Sequence, residues 1–96
     1  SEGFDALDEE EKQEQKQNIQ NGLNFAKKAL VTGQCDMLVL DEVLGLVKED
    51  MATEDQIIEI LQAKSLYTDV VLTGRDVLPR VFEMADSILK IVPEKV

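Results

Sequence analysis

The sequence predicts an α/β domain built on a parallel sheet of about three strands with flanking helices. Three short apolar segments, at 37–41, 70–72 and 88–92, alternate with segments of helical periodicity. An apolar run without polar alternation is typical of a strand buried inside a parallel sheet. Strands that alternate with helices pair in parallel through right-handed crossovers.

A long amphipathic helix is expected ahead of the first strand, over residues 8–32. This segment contains no proline, and Asp8 is a suitable N-cap because Glu11 follows three residues later. Gly33 is a natural stop. The helix carries one apolar stripe at intervals of three and four residues. Its members are Ile19, Leu23, Ala26 and Leu30.

Two further helices are expected between the strands. The segment Thr53–Gln56 is a capping box, and it predicts a helix that ends near Lys64. Asp76 is the expected cap of the next helix, in which Pro79 falls in the first turn, where proline is tolerated. No repeat or interdomain linker is evident, so residues 1–96 are read as one domain with a strand-helix-strand-helix-strand unit at 37–92.

Composition excludes several classes of function. The 96 residues carry a net charge of −10, which argues against binding to nucleic acid, whose phosphates would be repelled. No apolar run approaches a membrane span and no signal-peptide pattern is present, so no membrane partner is expected. The single cysteine, Cys35, cannot form an internal disulfide and favours a cytoplasmic protein. The chain has no histidine, so its chemistry depends on carboxylates, arginine, lysine and backbone.

The most informative motif is the pair Asp41-Glu42 directly after the first apolar strand. Ligands of open α/β sheets bind outside the carboxyl ends of the strands. An Asp there typically holds a Mg²⁺ that bridges nucleotide phosphates, and a following Glu can polarise water or bind the metal. This is the Walker B pattern, although strands that end in two solvated carboxylates are also common.

The second strand adds a polar segment to the same edge of the sheet, Thr73-Gly74-Arg75. A phosphate-binding site would use metal-holding carboxylates and a nearby guanidinium on one rim. The alternatives are that Thr73 and Gly74 serve a tight turn and that Arg75 only pairs with Asp76 or caps a carbonyl. The glycine-rich loop G-x-x-x-x-G-K-[ST], which usually cradles the phosphates, occurs nowhere in the chain.

These segments together resemble the P-loop type of ATP:corrinoid adenosyltransferase. The matching segments, in order, are Gly3-Phe4, Cys35-Asp36-Met37-Leu38-Val39-Leu40-Asp41-Glu42-Val43, Val70-Val71-Leu72-Thr73-Gly74-Arg75 and Met84-Ala85-Asp86. The resemblance runs from residue 3 to the end.

The resemblance implies a partial three-layer, P-loop NTPase-like (RecA-like) sheet. It also implies that the chain corresponds to the carboxyl-terminal half of such an enzyme, since the half with the phosphate loop is absent. In such folds the phosphate-loop strand commonly lies between the second and third strands seen here. An open gap would leave two rows of backbone groups unpaired, so we expect strand 70–72 to lie directly between 37–41 and 88–92.

The resemblance assigns roles to individual residues. Asp41 and Glu42 would bind Mg²⁺, with Glu42 also catalytic, while Thr73, Gly74 and Arg75 would contact ATP and Phe4 the corrinoid. The family transfers the 5′-deoxyadenosyl group of ATP to the cobalt of a reduced corrinoid, a step in cobalamin biosynthesis. Its members usually carry a second aromatic two residues after the Phe, but Ala6 stands here. This departure puts corrinoid positioning in doubt.

Three readings of the function stay open. The first is an enzyme fragment that is inactive alone, binds neither MgATP nor corrinoid by itself, and forms a homodimer through a sheet edge or the long first helix. The second is a non-catalytic interaction domain derived from a P-loop fold. The third is half of some other P-loop ATPase.

Overall fold

A computed structural model describes residues 2–84 and 90–93 of the chain. Its sheet has three parallel strands: β1 (Met37–Leu40), β2 (Asp69–Gly74) and β3 (Lys90–Pro93). The strand order is β1-β2-β3, with β2 paired to both neighbours. The expected α/β class and strand order are therefore confirmed. The first two residues of the expected third strand, 88 and 89, lie outside the described residues.

Pro93 belongs to β3, where it pairs with Gly74, so the strand runs one residue beyond the expected range 88–92. Proline lacks the N–H that a central strand donates to a neighbour. β3 lies at the edge of the sheet, and one side of its backbone therefore needs no partner strand.

Helix α1 (Glu2–Thr32) is longer than expected, because it begins at Glu2 and not near Asp8. No proline interrupts residues 2–8, and once a helix is nucleated each added residue gains a backbone hydrogen bond. The expected stripe is confirmed at Leu23, Ala26 and Leu30, which are buried. Gly33 follows with φ of 66°, the left-handed conformation that ends helices.

Helix α2 (Glu54–Gln62) begins at the expected capping box. The Gln56 N–H donates to Thr53 Oγ1 at 3.1 Å, and the Thr53 N–H donates to Gln56 Oε1 at 2.9 Å. The helix buries Ile57, Ile60 and Leu61 and ends at Gln62, two residues before the expected Lys64. A short 3₁₀ helix, Val43–Gly45, precedes it after β1.

The cap expected for the third helix is wrong. Helix α3 (Pro79–Phe82) has Leu78 as its N-cap, which makes no side-chain capping bond, and Asp76 instead pairs with Lys48 at 3.8 Å. The Glu54 carboxylate of α2 takes the capping role. Its Oε2 accepts from the N–H groups of Arg80 at 3.0 Å and Val81 at 3.2 Å. A carboxylate from a neighbouring helix thus satisfies donors that the local sequence leaves unpaired.

The three helices contribute to a single hydrophobic core on one face of the sheet. β2 supplies Val70 and Leu72 to this core, 1% and 0% exposed, and Leu30, Ile57 and Val81 pack into the same cluster from α1, α2 and α3. We call this the covered face. Within the described residues, no third layer lies on the opposite face.

That opposite face, the open face, is lined by Met37, Val39, Val71 and Val92. The register pairs Val39 with Val71, and paired residues of neighbouring strands point to the same side of a sheet. Met37 and Val39 are 57% and 53% exposed. The expectation that β1 is buried on both faces is therefore wrong in this chain. β1 is an edge strand, and the described helices cover only one side of it.

Candidate functional site

The carboxyl ends of β1 and β2 are joined by a short chain of hydrogen bonds. The Thr73 hydroxyl donates to Asp41 Oδ1 at 2.7 Å. The same hydroxyl oxygen accepts from the Glu42 N–H at 2.7 Å. Three of the residues expected at this edge therefore lie together, and Thr73 holds the Asp41 carboxylate in place.

Glu42 has an unusual backbone conformation. Its φ of 59° and ψ of 15° are left-handed, which costs a non-glycine residue about 1–2 kcal/mol. The conformation turns the chain sharply from β1 into the 3₁₀ helix and brings the Glu42 N–H onto Thr73. The neighbourhood therefore holds Glu42 in a strained turn directly beside the Asp41 carboxylate.

Gly74 has a structural requirement that the sequence alone did not reveal. Its φ is 147°, and a Cβ at this position would lie 2.5 Å from Leu44 Cβ. β2 and the 3₁₀ helix thus approach too closely for any side chain there. The sequence shows only a glycine at the end of a strand. It does not show that Leu44, 30 positions earlier in the chain, lies against this position in the fold.

Arg75 is exposed at the end of β2, beside Gly74. Among the described residues it forms no ion pair with Asp41 or Glu42. The alternative pairing with Asp76 is not seen either, since Asp76 lies near Lys48. Arg75 is therefore placed at the expected edge with its guanidinium accessible to a ligand.

The oxygen atoms at this edge fit a magnesium ion held jointly with a nucleotide. Asp41 is exposed, and Thr73 engages only Oδ1 of a carboxylate that can accept about four hydrogen bonds or metal contacts. Mg²⁺ prefers such hard oxygen donors and is usually held by one or two carboxylates together with substrate phosphates and water. In the described part of the chain, no group of three or more acidic or cysteine side chains is arranged to hold a metal by itself.

Two segments of the family resemblance cannot be placed at the site. Phe4 belongs to α1, but its side chain is outside what the structure describes. Ala85 and Asp86 also fall outside the described residues, beyond Met84.

A depression of about 320 Å³ lies away from the strand ends, at the junction of α1 and α2. Its wall includes Gln20 and Gln56, whose amides bond to each other at 2.7 and 3.2 Å. Gln20 also donates to the Met51 carbonyl at 2.9 Å. The two amides use their hydrogen-bonding groups on each other and on the Met51 carbonyl. They therefore stabilise the packing of α1 on α2 and leave few hydrogen-bonding groups for a ligand.

None of the helices in residues 2–84 and 90–93 combines the length and the apolar character needed to cross a membrane.

The fold and the site define an α/β protein whose parallel strands end in an exposed carboxylate that a threonine hydroxyl orients. Residues 1–96 match the family model for ATP:corrinoid adenosyltransferase BtuR/CobO/CobP. The chain belongs to this corrinoid adenosyltransferase family, as the resemblance in its motifs predicted.

Curated relatives agree with this membership. The corrinoid adenosyltransferases of Escherichia coli strain K12 and of Escherichia coli O6:H1 (strain CFT073) are each 29% identical to the chain over 70 residues. Each match covers 73% of this chain and 36% of the relative. The chain thus spans about a third of the length of the curated relatives it matches. No solved structure matches it significantly.

Proposed function

We propose that this chain is the carboxyl-terminal part of an ATP:corrinoid adenosyltransferase and supplies the metal-nucleotide side of its active site. The complete enzyme would transfer the 5′-deoxyadenosyl group of ATP to the cobalt of a reduced corrinoid in cobalamin biosynthesis. The observation that carries this proposal is the Asp41–Thr73–Glu42 hydrogen-bond chain across two parallel strand ends, in a member of this family.

Asp41 is the proposed metal ligand, because its carboxylate is exposed and already oriented by Thr73. When bound, Mg²⁺ would neutralise charge on the nucleotide phosphates. Thr73 acts by fixing the Asp41 carboxylate, which lowers the entropy lost when a ligand binds.

Glu42 and Arg75 have separate proposed roles on the same rim. The Glu42 carboxylate orients a water molecule or the metal. The strained turn at Glu42 sets the direction in which this side chain leaves the backbone. The Arg75 guanidinium pairs with phosphate oxygens, for which its fork of donors is suited. Gly74 allows the close approach behind them, and Phe4 is the proposed corrinoid contact.

The test is complementation. The chain is co-expressed with the part of the Escherichia coli relative that the match does not cover, and ATP-dependent corrinoid adenosylation is measured. Asp41→Asn should reduce turnover by about 100-fold or more, the usual effect of removing one electrostatic group from such a site. The matched control is Asp36→Asn, an exposed Asp at the opposite end of β1, which should leave turnover unchanged. Equal activity of the two variants would show that Asp41 does not belong to the active site.

The isolated chain should bind MgATP only weakly, with a Kd far above the micromolar range. Backbone N–H groups and a Lys of a glycine-rich loop make most phosphate contacts in such sites, and the chain has no such loop. Isothermal titration calorimetry measures this directly. Micromolar affinity without a second polypeptide would contradict the proposal.

The second candidate is a non-catalytic interaction domain, and the observation that favours it is the exposed apolar open face. It predicts stable partner binding with no adenosylation under any complementation.

The homodimer expected from the sequence is a related proposal. Sedimentation at tens of micromolar protein tests it, and a monomer would overturn it.

A further inference from the structure

The segment that follows β1 brings a lysine to the edge of the sheet where β2 ends. The Lys48 ammonium lies 3.8 Å from Asp76 Oδ1. A Cβ at Gly45 would be 3.4 Å from Asp76 Oδ2, so the backbone after β1 lies against this carboxylate. Asp76 directly follows Arg75 in the chain. Lys48 and Arg75, 27 positions apart in the sequence, are therefore brought to the same edge of the sheet.

Asp76 does not occupy the hydrogen-bonding groups of Lys48. An ammonium and a carboxylate that share a hydrogen bond are about 2.7–2.9 Å apart, and 3.8 Å lies beyond that range. The Lys48 side chain is 78% exposed, and among the described residues Asp76 is the one carboxylate within 4.0 Å of its ammonium. The three ammonium donors are thus available to a ligand that reaches this edge.

The charge of this edge favours a ligand with phosphate groups as the partner of Lys48. The segments that follow the two strands, 41–50 and 75–78, contain five carboxylates and two cations, Lys48 and Arg75. The triphosphate of a nucleotide brings further negative charge, of which a Mg²⁺ neutralises only part. A lysine ammonium is a compact point charge of the kind that commonly binds phosphates. Lys48 therefore supplies positive charge where the site has little.

We propose that Lys48 is a further phosphate-binding residue, which pairs with the triphosphate of ATP beside Arg75, an assignment that rests on the proposed function. In the transfer, the new bond from cobalt to C5′ takes its electron pair from the reduced corrinoid, and the C5′–O5′ bond breaks. The electron pair of the broken bond stays on the oxygen, so the triphosphate gains a negative charge as it leaves. The Lys48 ammonium stabilises this developing charge.

The experiment uses the complementation complex, in which this chain is co-expressed with the uncovered part of the Escherichia coli relative. Initial rates are measured at varied MgATP and corrinoid, with magnesium tripolyphosphate as the inhibitor. Lys48→Ala should lower kcat/KM for MgATP and raise the inhibition constant of tripolyphosphate, each by about tenfold or more, because a charge-assisted phosphate contact is lost. The KM for the corrinoid should stay within about twofold of the parent value.

Two variants control for charge and position. Lys48→Arg keeps the positive charge and should bring both constants to within about threefold of the parent. Lys28→Ala removes the same charge from an exposed position near the end of α1, which leads to the amino end of β1, and should change neither constant. Unchanged constants in Lys48→Ala, or equal losses in Lys28→Ala, would overturn the proposal. So would a Lys48→Arg variant as impaired as Lys48→Ala.

A measurement on the isolated chain separates binding from folding. An exposed ion pair contributes little to stability, so Lys48→Ala should unfold within about 3 °C of the parent. A larger loss would mean that Lys48 mainly holds the two segments together. An equal rise in the KM for the corrinoid would mean that Lys48 serves the site as a whole and not the phosphates. Either result would overturn the proposal.

Failure of this inference and failure of the proposed function give different results. Adenosylation by the parent complex that Lys48→Ala leaves unchanged would overturn the role of Lys48 and leave the enzymatic proposal intact. If the parent complex shows no adenosylation, the enzymatic proposal fails, and calorimetric titration of the same complex with MgATP tests Lys48. A Kd about tenfold higher for Lys48→Ala would support its role. Equal Kd values, or no binding to the parent complex, would overturn it.

Discussion

The two faces of the sheet differ sharply although neighbouring residues of the same strand supply both. In β2, Val70 and Leu72 are almost completely buried under the helices, while Val71 between them is only half-buried. All three are aliphatic, so the residue types do not distinguish the faces. The difference shows that the sequence of the strand is suited to two covering layers, while the described residues provide one.

The largest effect is expected on the covered face, from Leu72→Ala. Removing a fully buried Leu side chain costs the transfer free energy of the lost atoms plus that of the remaining cavity, about 2–5 kcal/mol. For a small domain this is a large part of the total stability. Urea denaturation followed by circular dichroism measures it. Val71→Ala, one residue away on the open face, should cost less than half as much. Equal losses would mean that the two faces are equally buried.

The next effect concerns the close approach behind the site. Gly74→Ala adds a Cβ 2.5 Å from Leu44 Cβ in a backbone conformation unfavourable for alanine, and should cost about 2–3 kcal/mol. Gly22→Ala is the control, since apart from the adjoining residues and backbone of α1 itself no atom lies within 4 Å of a Cβ there. It lies within α1 and should stabilise the protein by about 0.5–1 kcal/mol. Opposite signs in thermal unfolding are expected, and a neutral Gly74→Ala would contradict the geometry.

A smaller effect is expected where α2 caps α3 over the covered face. Glu54→Ala removes the acceptor of two backbone N–H groups and should cost about 1–2 kcal/mol, as for other lost helix caps. The neighbouring Asp55 bonds to Arg80 at 2.6 Å and raises the pKa of that guanidinium, but both groups are well exposed. Asp55→Ala should therefore leave the midpoint of thermal unfolding nearly unchanged, because water screens an exposed ion pair. If Asp55→Ala were the more damaging, the exposed ion pair and not the cap would hold α3.

The smallest effect is expected on the open face of the isolated chain. Val39→Thr replaces one methyl group by a hydroxyl that water can reach, so the stability should change by less than about 0.5 kcal/mol. The same substitution at buried Val70 should cost more than about 1 kcal/mol, because the hydroxyl would lose its contact with water. Parallel urea titrations of the two variants test this difference. A large loss for Val39→Thr would show that the open face is covered in solution.

Much of the fold could be predicted because its signals are local. The capping box at Thr53 and Gln56 acts over three residues. The buried stripe of α1 consists of apolar residues three and four positions apart. The parallel pairing followed from the alternation of strands and helices. The strand order followed from the resemblance to P-loop folds and from the cost of leaving backbone groups unpaired in a gap. The positions of Asp41 and Thr73 on one rim followed in turn, since parallel strands end at the same edge.

The sequence by itself thus determined the parallel sheet, its order, the family and the residues that meet at the strand ends. Tertiary structure alone decided that Glu54 and not Asp76 caps α3, that Leu44 excludes a side chain at position 74, and that β1 is exposed on one face. The physical reason is common to all three. Each depends on which atoms from distant parts of the chain come within a few ångströms, and an apolar residue in a strand does not specify what will cover it.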